Sequence, residues 1–502
     1  MKKFISMLIL ATVAGTGTIY AQYAGDALRF SQGNYGSSSR FKGLGGAQIG
    51  LGGDISSLGG NPAGLGMFTR SEFSFTPELN NSTAKASYLG QNTDESKTQL
   101  NLSQAGAVFY SPIRKRSGSD LNKGALSIVW GIGFNRNNDF SASYRYQGQN
   151  TQNSIADYFS EIANGSLEQN FPSGSLQAMA YDNYLIDAIN GNLTQYQPAT
   201  SQTNTQQNYD NRSGSTSELN IAAGLNVSNQ VYFGASIGLV NVRYDRNFEY
   251  QESGQNISTD PDNQEFGNDY FLSYRQNQVT DGTGVNGRLG VIVKPTNEVR
   301  IGATFQTPTW LHIQDSYSEV LNTEYTGNAT TTYTNTPTNY PIEYNLRTPY
   351  KGSLGASVVL GNNALISADV DYVDYSSIKF SASDNYAGAN VINDNNADVK
   401  ALYSSAVNYR VGAEYKLGLL ALRAGLGING SPYKDDDNND FQTKYYSGGL
   451  GYRVNNYYID LAYQRVETKN SFSPYTLANG GEPTANIDFA KNNVFLTFGV
   501  RF

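Results

Sequence analysis

Few residues in this chain could carry covalent chemistry, and its charged residues are placed for binding instead. There is no cysteine and a single histidine, His312. Thiol nucleophiles, disulfides and thiolate metal sites are therefore excluded. His312 follows Trp310 and Leu311 near a strand end, where an imidazole packs more often than it catalyses. The Gly-x-Ser-x-Gly run at 234–238 sits inside an alternating stretch and not at a barrel rim, and no enzymatic activity is expected. The run Asp435-Asp436-Asp437-Asn438-Asn439-Asp440 has the composition of a calcium loop but lacks the central glycine and closing glutamate of that motif. It reads as a solvated loop, and neither a metal nor a cofactor is implied. Arg288, Arg300, Lys351, Arg410, Arg423 and Arg453 each fall on the polar side of an alternating stretch. There a cation can hold a bound carboxylate or pair with Asp369, Asp371, Glu414 and Asp460 in a structural network. Both readings stand, with Arg288, Arg300 and Lys351 as the carboxylate-binding candidates.

The elements that position these residues are strands. At the C-terminus Val494, Leu496, Phe498, Val500 and Phe502 share one face, and Thr497, Gly499 and Arg501 the other. The same alternation recurs over 457–464, 420–429, 366–372, 299–306 and 231–239. Its apolar face suits lipid, and its other face is Gly, Ser, Arg and Asp, which suits a wet or plugged lumen. A soluble sandwich would carry more Lys, Glu and Thr on its polar face. Short turns at Asn226–Gln230, Lys294–Glu298, Leu360–Ala364, Lys416–Leu419 and Arg453–Tyr457 alternate with long polar segments, as in membrane barrels. The pattern predicts fourteen strands, near 71–80, 102–111, 124–147, 212–226, 230–251, 268–294, 297–318, 340–360, 364–381, 401–417, 419–430, 441–453, 456–468 and 490–502. The fold class is thus all-β: a closed antiparallel transmembrane barrel of about fourteen strands. An even count returns both ends to the periplasm. Tyr144, Tyr146, Tyr250, Tyr372, Tyr375, Tyr445 and Tyr446 are expected in an interfacial girdle.

Composition agrees with export. Lys2 and Lys3 precede ten apolar residues, Phe4 to Val13, too short for a membrane helix, and Ala21 suits a cleavage site. Residues 1–21 read as a signal peptide of a protein bound for a Gram-negative outer membrane. The formal net charge of −8 leaves no basic footprint for nucleic acid. A soluble chain of 502 residues would divide into several domains, whereas a barrel can use that length as one.

Residues 22–70 do not alternate. They are glycine-rich, running Ser38-Ser39-Arg40-Phe41-Lys42-Gly43-Leu44-Gly45-Gly46-Ala47, then Asp54-Ile55-Ser56-Ser57-Leu58, then Asn61-Pro62-Ala63-Gly64-Leu65. Short helical turns are expected, with Asp54 or Ser56 as an N-cap. This segment resembles the N-terminal hatch of the FadL/TodX family of outer-membrane transporters for long-chain fatty acids and other hydrophobic compounds. The match lies in Arg40 to Ala47, in Asp54, and in the Asn-Pro-Ala motif of Asn61, Pro62 and Ala63. It is dense in the hatch and extends to the rest of the chain in layout only.

The resemblance implies residues 22–70 as a lumenal plug and 71–502 as the barrel. It implies uptake of a hydrophobic small molecule by capture at outer loops and lateral release through the wall, gated by the hatch. The longest loop, 148–211, carries two helical patterns. Its apolar residues Ile155, Phe159, Leu176, Met179, Leu185 and Ile189 either form a capture groove or pack on each other. In the third strand, Gly131, Gly133, Asn135 and Arg136 mark either the lateral opening or an ordinary strand end. Expected partners are the hydrophobic ligand, outer-membrane lipid and lipopolysaccharide, and the barrel-assembly machinery, which the terminal strand engages. A plugged barrel can act as a monomer. The alternative is a porin-like or surface-binding barrel without hydrophobic cargo.

Overall fold

The computed structural model describes residues 21–33, 36–115, 120–189, 192–361, 363–383 and 389–502. The expected signal peptide lies outside these residues, apart from Ala21. The wall strands are β1 (Glu72–Tyr88), β2 (Gln91–Pro112), β3 (Ala125–Asp139, resuming Ala142–Asn150), β4 (Asn204–Val227), β5 (Val231–Gln255) and β6 (Asp269–Val293). They continue with β7 (Val299–Gln306, resuming Trp310–Thr326), β8 (Thr338–Arg347, resuming Lys351–Leu360), β9 (Ala364–Asp374, resuming Lys379–Ala382) and β10 (Ser405–Leu417). The last are β11 (Leu420–Asn429), β12 (Thr443–Val454), β13 (Tyr457–Phe472) and β14 (Ala485–Arg501). Each is antiparallel to its neighbours, and β14 pairs with β1 from Arg501 opposite Glu72 to Asn486 opposite Ser87, which closes the barrel. Helices are α1 (Ala21–Ser31), α2 (Ser39–Gly43), α3 (Ile155–Ala163), α4 (Leu176–Asp182) and α5 (Ala389–Leu402).

The wall is inside out relative to a soluble sheet. Phe75, Ile132, Ile237, Leu354, Leu426 and Leu461 are exposed on its outer face, while Glu218, Arg288, Asp371, Arg410, Arg423 and Asp460 are buried inside. This arrangement is stable only when the outer solvent is lipid. One end carries both ends of the strand series and most of the short turns; the other carries most of the long connections, together with the two-residue turn at Leu89 and Gly90.

Several strands run beyond the alternation that marks them in the sequence. β1 and β2 form one long hairpin closed by Leu89 and Gly90, both in the left-handed region at φ 47° and 78°. Such a two-residue turn matches the strand twist. The polar stretch 81–101 is therefore ladder and not loop: above the lipid band the outer face no longer has to be apolar. β4 likewise starts at Asn204, so the long insertion spans 151–203 and not 148–211. The tyrosine girdle is also corrected. Tyr372 and Tyr446 face outward, but Tyr144, Tyr146, Tyr250, Tyr375 and Tyr445 are buried on the inner face.

β7 and β8 are interrupted side by side, at Thr307-Pro308-Thr309 and at Thr348-Pro349-Tyr350. Proline cannot donate to the ladder, and hydroxyls take over. The Thr309 amide donates to Thr348 Oγ1 at 2.8 Å, and the Thr348 amide to Thr309 O at 3.0 Å. The two strands stay in register with each other across the break, from Gln306 opposite Lys351 to Trp310 opposite Arg347. The extra residue is absorbed against β6, so Thr304 faces inward below the break, and Leu311 and Ile313 above it.

The insertion packs as a canopy over the loop end. Helix α3 begins with a capping box between Ser154 and Asp157. Helix α4 follows, but Ile186–Ile189 is a strand paired with Asn192–Pro198, not a continuation of helix. Ile155, Phe159, Leu176, Met179 and Leu185 are all buried, packed with Tyr250, Tyr270, Tyr274 and Leu321 of the underlying strands. Of the six capture candidates only Ile189 is exposed. The others spend their apolar surface on packing, because two short helices cannot otherwise be held above a sheet. Burial pushes the Asp187 carboxyl up, against hydrogen bonds from Ser258 and Asn263. Phe159→Ala is expected to cost about 3 kcal/mol of canopy stability. Limited proteolysis would show faster cleavage within 151–203 while the barrel keeps its heat-resistant migration on gels.

Candidate functional site

The hatch is held by polar atoms at its own bends. Asp54 caps the turn Ile55–Leu58 by accepting from the Ser56 amide at 3.0 Å, and it accepts from Ser38 Oγ at 2.9 Å. Asn61 caps Pro62–Met67 through the Ala63 amide at 3.1 Å, with Pro62 at the first helical position, where its missing N–H costs nothing. The Asn61 amide also donates to Ile49 O at 2.8 Å and to Val291 O of β6 at 3.4 Å. The motif residue thus ties two hatch segments to the wall.

The wall receives the hatch with glycine and buried charge. A Cβ on Gly302, Gly412 or Gly425 would overlap the backbone of Ile49, Leu44 or Gly45. The main chain of the hatch therefore lies directly on the inner wall. Asp369 Oδ2 accepts from the amides of Gln48 at 2.6 Å and Ile49 at 2.9 Å. Arg40 reaches Glu414 at 3.2 Å, and Arg423 bridges Glu414 at 2.7 Å and Asp460 at 2.6 Å.

These pairs occupy most of the candidate cations. Arg288 is bidentate on Glu218 at 2.6 and 2.8 Å and also donates to Asn220. Lys351 and Arg410 both reach Asp371, at 3.4 and 2.6 Å. Arg288 and Lys351 are thus already engaged by acids of the wall. Arg300 is half-buried near the turn end of β7, well below the canopy.

The wall is continuous at Gly131 and Gly133, which pair with β2 on one side and β4 on the other. Both glycines make room for the Leu58 side chain of the hatch. The break lies higher. The β2–β3 ladder ends at Gln104 opposite Asn135, and beyond it residues 91–103 of β2 have no backbone ladder to β3. The β3–β4 register shifts between Arg136 and Asn138, and β3 stops at Asp139 before resuming at Ala142. Side chains bridge the seam instead. Asn80 and Asn101 donate to Asp139 Oδ2 at 2.7 and 3.3 Å; Lys97 donates to Asn211 Oδ1 at 2.8 Å and to Arg212 O at 2.7 Å. Among the four candidates, Asn135 is the last rung and Arg136 begins the seam; the two glycines lie below it.

The N-terminal segment closes the seam from inside. The Gly36 amide donates to Asn137 Oδ1 at 3.3 Å, and Asn138 Nδ2 donates to Gln32 O at 3.0 Å. Helix α1 then fills an apolar chamber with Tyr23, Ala27, Leu28 and Phe30, against Phe140, Tyr244, Tyr344 and Phe380 of the wall and Val399 of α5. Tyr403 donates to Ala24 O at 3.0 Å, and Gln278 to Asp26 Oδ2 at 2.7 Å.

Above the seam sits a charge cluster that the sequence reasoning missed. Arg212 of β4 and Arg246 of β5 are directly opposite each other in the ladder, a repulsive pairing unless an anion lies between them. Asp210 supplies one, at 2.8 Å from each guanidinium. Two cations thus share one fully buried carboxylate. Their surroundings are aromatic: Arg212 lies 5.1 Å from the rings of Tyr144 and Phe472, and Arg246 4.7 Å from that of Phe248. Fixing the register from the short turn at 228–230 would have exposed the pair.

A closed fourteen-stranded barrel with a lumenal hatch pinned to glycines, and a side-chain-bridged seam in its wall, defines an outer-membrane transport barrel. The chain belongs to the outer membrane protein transport protein family (OMPP1/FadL/TodX), whose sequence profile matches residues 37–502. No curated protein sequence matches it. Among solved structures, a FadL homologue from Pseudomonas aeruginosa is 12% identical with a TM-score of 0.52, over 93% of this chain and 98% of that one. A deletion mutant of the TodX monoaromatic hydrocarbon channel is 13% identical with a TM-score of 0.51, over 93% and 99%. TodX of P. putida is 14% identical with a TM-score of 0.49, over 93% and 99%.

Gly412→Val and Gly425→Val should push the hatch off the wall. Cells carrying them are expected to become several-fold more sensitive to vancomycin. Gly352→Val, whose Cβ meets nothing within 4 Å, serves as the unchanged control.

Proposed function

We propose that this barrel takes up hydrophobic small molecules with an anionic head, long-chain fatty acids or similar lipids, and releases them sideways through the seam between β2 and β3. The observation that carries the reading is the Arg212–Arg246 pair, two guanidiniums on one carboxylate between aromatic rings beside that seam. A bound carboxylate would complete the charge balance, and the rings would receive the chain behind it. The apolar chamber holding α1 supports the same route: cargo moving inward competes with the helix for Tyr244, Phe140 and Tyr344. Displacing α1 would pull Gln32 off Asn138 and Gly36 off Asn137 and free the inner side of the seam. Lipid is then the immediate recipient, which suits a molecule that cannot diffuse through a lipopolysaccharide layer.

Arg212→Gln together with Arg246→Gln is the direct test, read as uptake of laurate and of toluene into a host lacking its own carriers. The double variant should lose laurate uptake at least tenfold and keep toluene uptake, since a hydrocarbon has no head to lose. TodX is described as a monoaromatic hydrocarbon channel; uptake of toluene by the wild type with indifference to laurate would favour cargo of that kind here. Wild-type uptake of neither probe above the host background would favour a porin-like or surface-binding barrel.

A further inference from the structure

Four amide side chains gather at the inner foot of the seam. Gln104 and Asn135 are the last rung of the β2–β3 ladder, and both point inward and are buried at 1% exposure. Asn220 of β4 is beside them: Asn220 pairs with Gly133, two residues from Asn135 on the same strand. Gln48 of the hatch completes the group. Asn135, Asn220 and Gln48 lie against the hatch bend at Gly59 and Gly60, and Gln104 is the rung partner of Asn135. A Cβ on Gly59 would lie 2.6 Å from Asn135 Nδ2 and 3.3 Å from Asn220 Nδ2, and one on Gly60 2.9 Å from Gln48 Nε2.

The fold leaves seven of the eight polar atoms of these amides without a partner. Both polar atoms of Gln48, Gln104 and Asn135, and Nδ2 of Asn220, are buried without a hydrogen-bond partner among the described residues. The charged groups beside them are paired, as Arg288 is with Glu218 and Asn220 Oδ1, and single unpartnered polar atoms elsewhere in the lumen, such as Ser236 Oγ and Thr304 Oγ1, do not gather in this way. Leaving a buried amide unpaired costs more than the bond itself would contribute, so a cluster of them at one point calls for something that can both donate and accept. A charged group fits poorly, because no side chain of the cluster carries charge. A neutral polar head fits well: a hydroxyl, a carbonyl, or a carboxyl that has taken up its proton.

We propose that Gln48, Gln104, Asn135 and Asn220 form a hydrogen-bonding station that takes the neutral polar head of an amphiphilic cargo while its tail turns outward through the seam. The proposal rests on the uptake reading above and extends it. A carboxylate held by Arg212 and Arg246 cannot enter lipid as an ion without a large desolvation cost. It must leave as the neutral acid, and the amides give that acid a donor and an acceptor at the threshold. The proton comes from water, and no bond in the cargo other than O–H changes. Gly36 belongs to the same threshold, since a Cβ there would come within 2.9 Å of the Asn135 side chain, so movement of the N-terminal segment uncovers the station.

The test compares 1-dodecanol with dodecane, which share a chain and differ in the head, in a carrier-less host expressing the full barrel. Asn135→Leu and Gln104→Leu should each lower dodecanol uptake about fivefold, the factor set by one lost net hydrogen bond, and leave dodecane uptake unchanged. Assembly is checked by heat-modifiable gel migration. If a leucine variant fails to assemble, Asn135→Ser and Gln104→Ser, which remove reach without adding apolar bulk, should show the same selective loss. Equal loss of both probes, or loss of neither, overturns the station. If the wild type imports laurate while the variants import dodecanol as well as it does, the station falls and the uptake reading stands. If the wild type imports none of these probes, both fall.

Discussion

The close approach of the hatch main chain to the inner wall is the constraint on which the rest of the molecule depends. A membrane barrel of this girth would be an open pore, and only backbone laid on backbone closes it without bulky side chains. That contact requires glycine on the lumen side, at Gly302, Gly412 and Gly425, and it leaves hatch amides facing the wall. Asp369 answers two of those amides, and Ser447 and Thr497 answer those of Gly45 and Ser39. That acid must itself be balanced, and Arg410 stands opposite it in the β9–β10 ladder, as Arg423 stands between Glu414 and Asp460. Glycine, acid and arginine on one face of the strands are therefore one requirement and not three.

The same requirement explains what could be read in advance. Alternation is sharp where one face meets lipid and the other meets the hatch, so β11, β13 and the lower part of β5 are plain in the sequence. It fades where a strand rises above the lipid, and 81–101 and 204–211 look like loop although both are laddered, 91–101 to β1 alone. Tyrosines near strand ends were expected outside because interfacial rings are common there. Most turn inward because the canopy and α1 need large side chains that can also hydrogen-bond.

At the site, residue type was a better guide than residue role. Asn61, Pro62 and Asp54 do tie the hatch together, since capping chemistry is local and shows in short motifs. Lumen arginines were visible by parity, but whether one is paired depends on which acid lies across the barrel, and that is set by the register of strands far apart in sequence. The amides at the seam were invisible for the same reason. Asn135 and Gln104 look like ordinary polar strand residues until the ladder between them is seen to end.

The shared interruption of β7 and β8 works as a phase joint. Inserting one residue into a single strand would turn everything beyond it inside out. Here two neighbours shift together and keep their mutual register, so the half of the wall that meets lipid and the half that carries the canopy are set independently. The lower storey is tuned to the thickness of a bilayer, and the upper storey to whatever must be held above it. A change in one can accumulate without forcing a compensating change in the other.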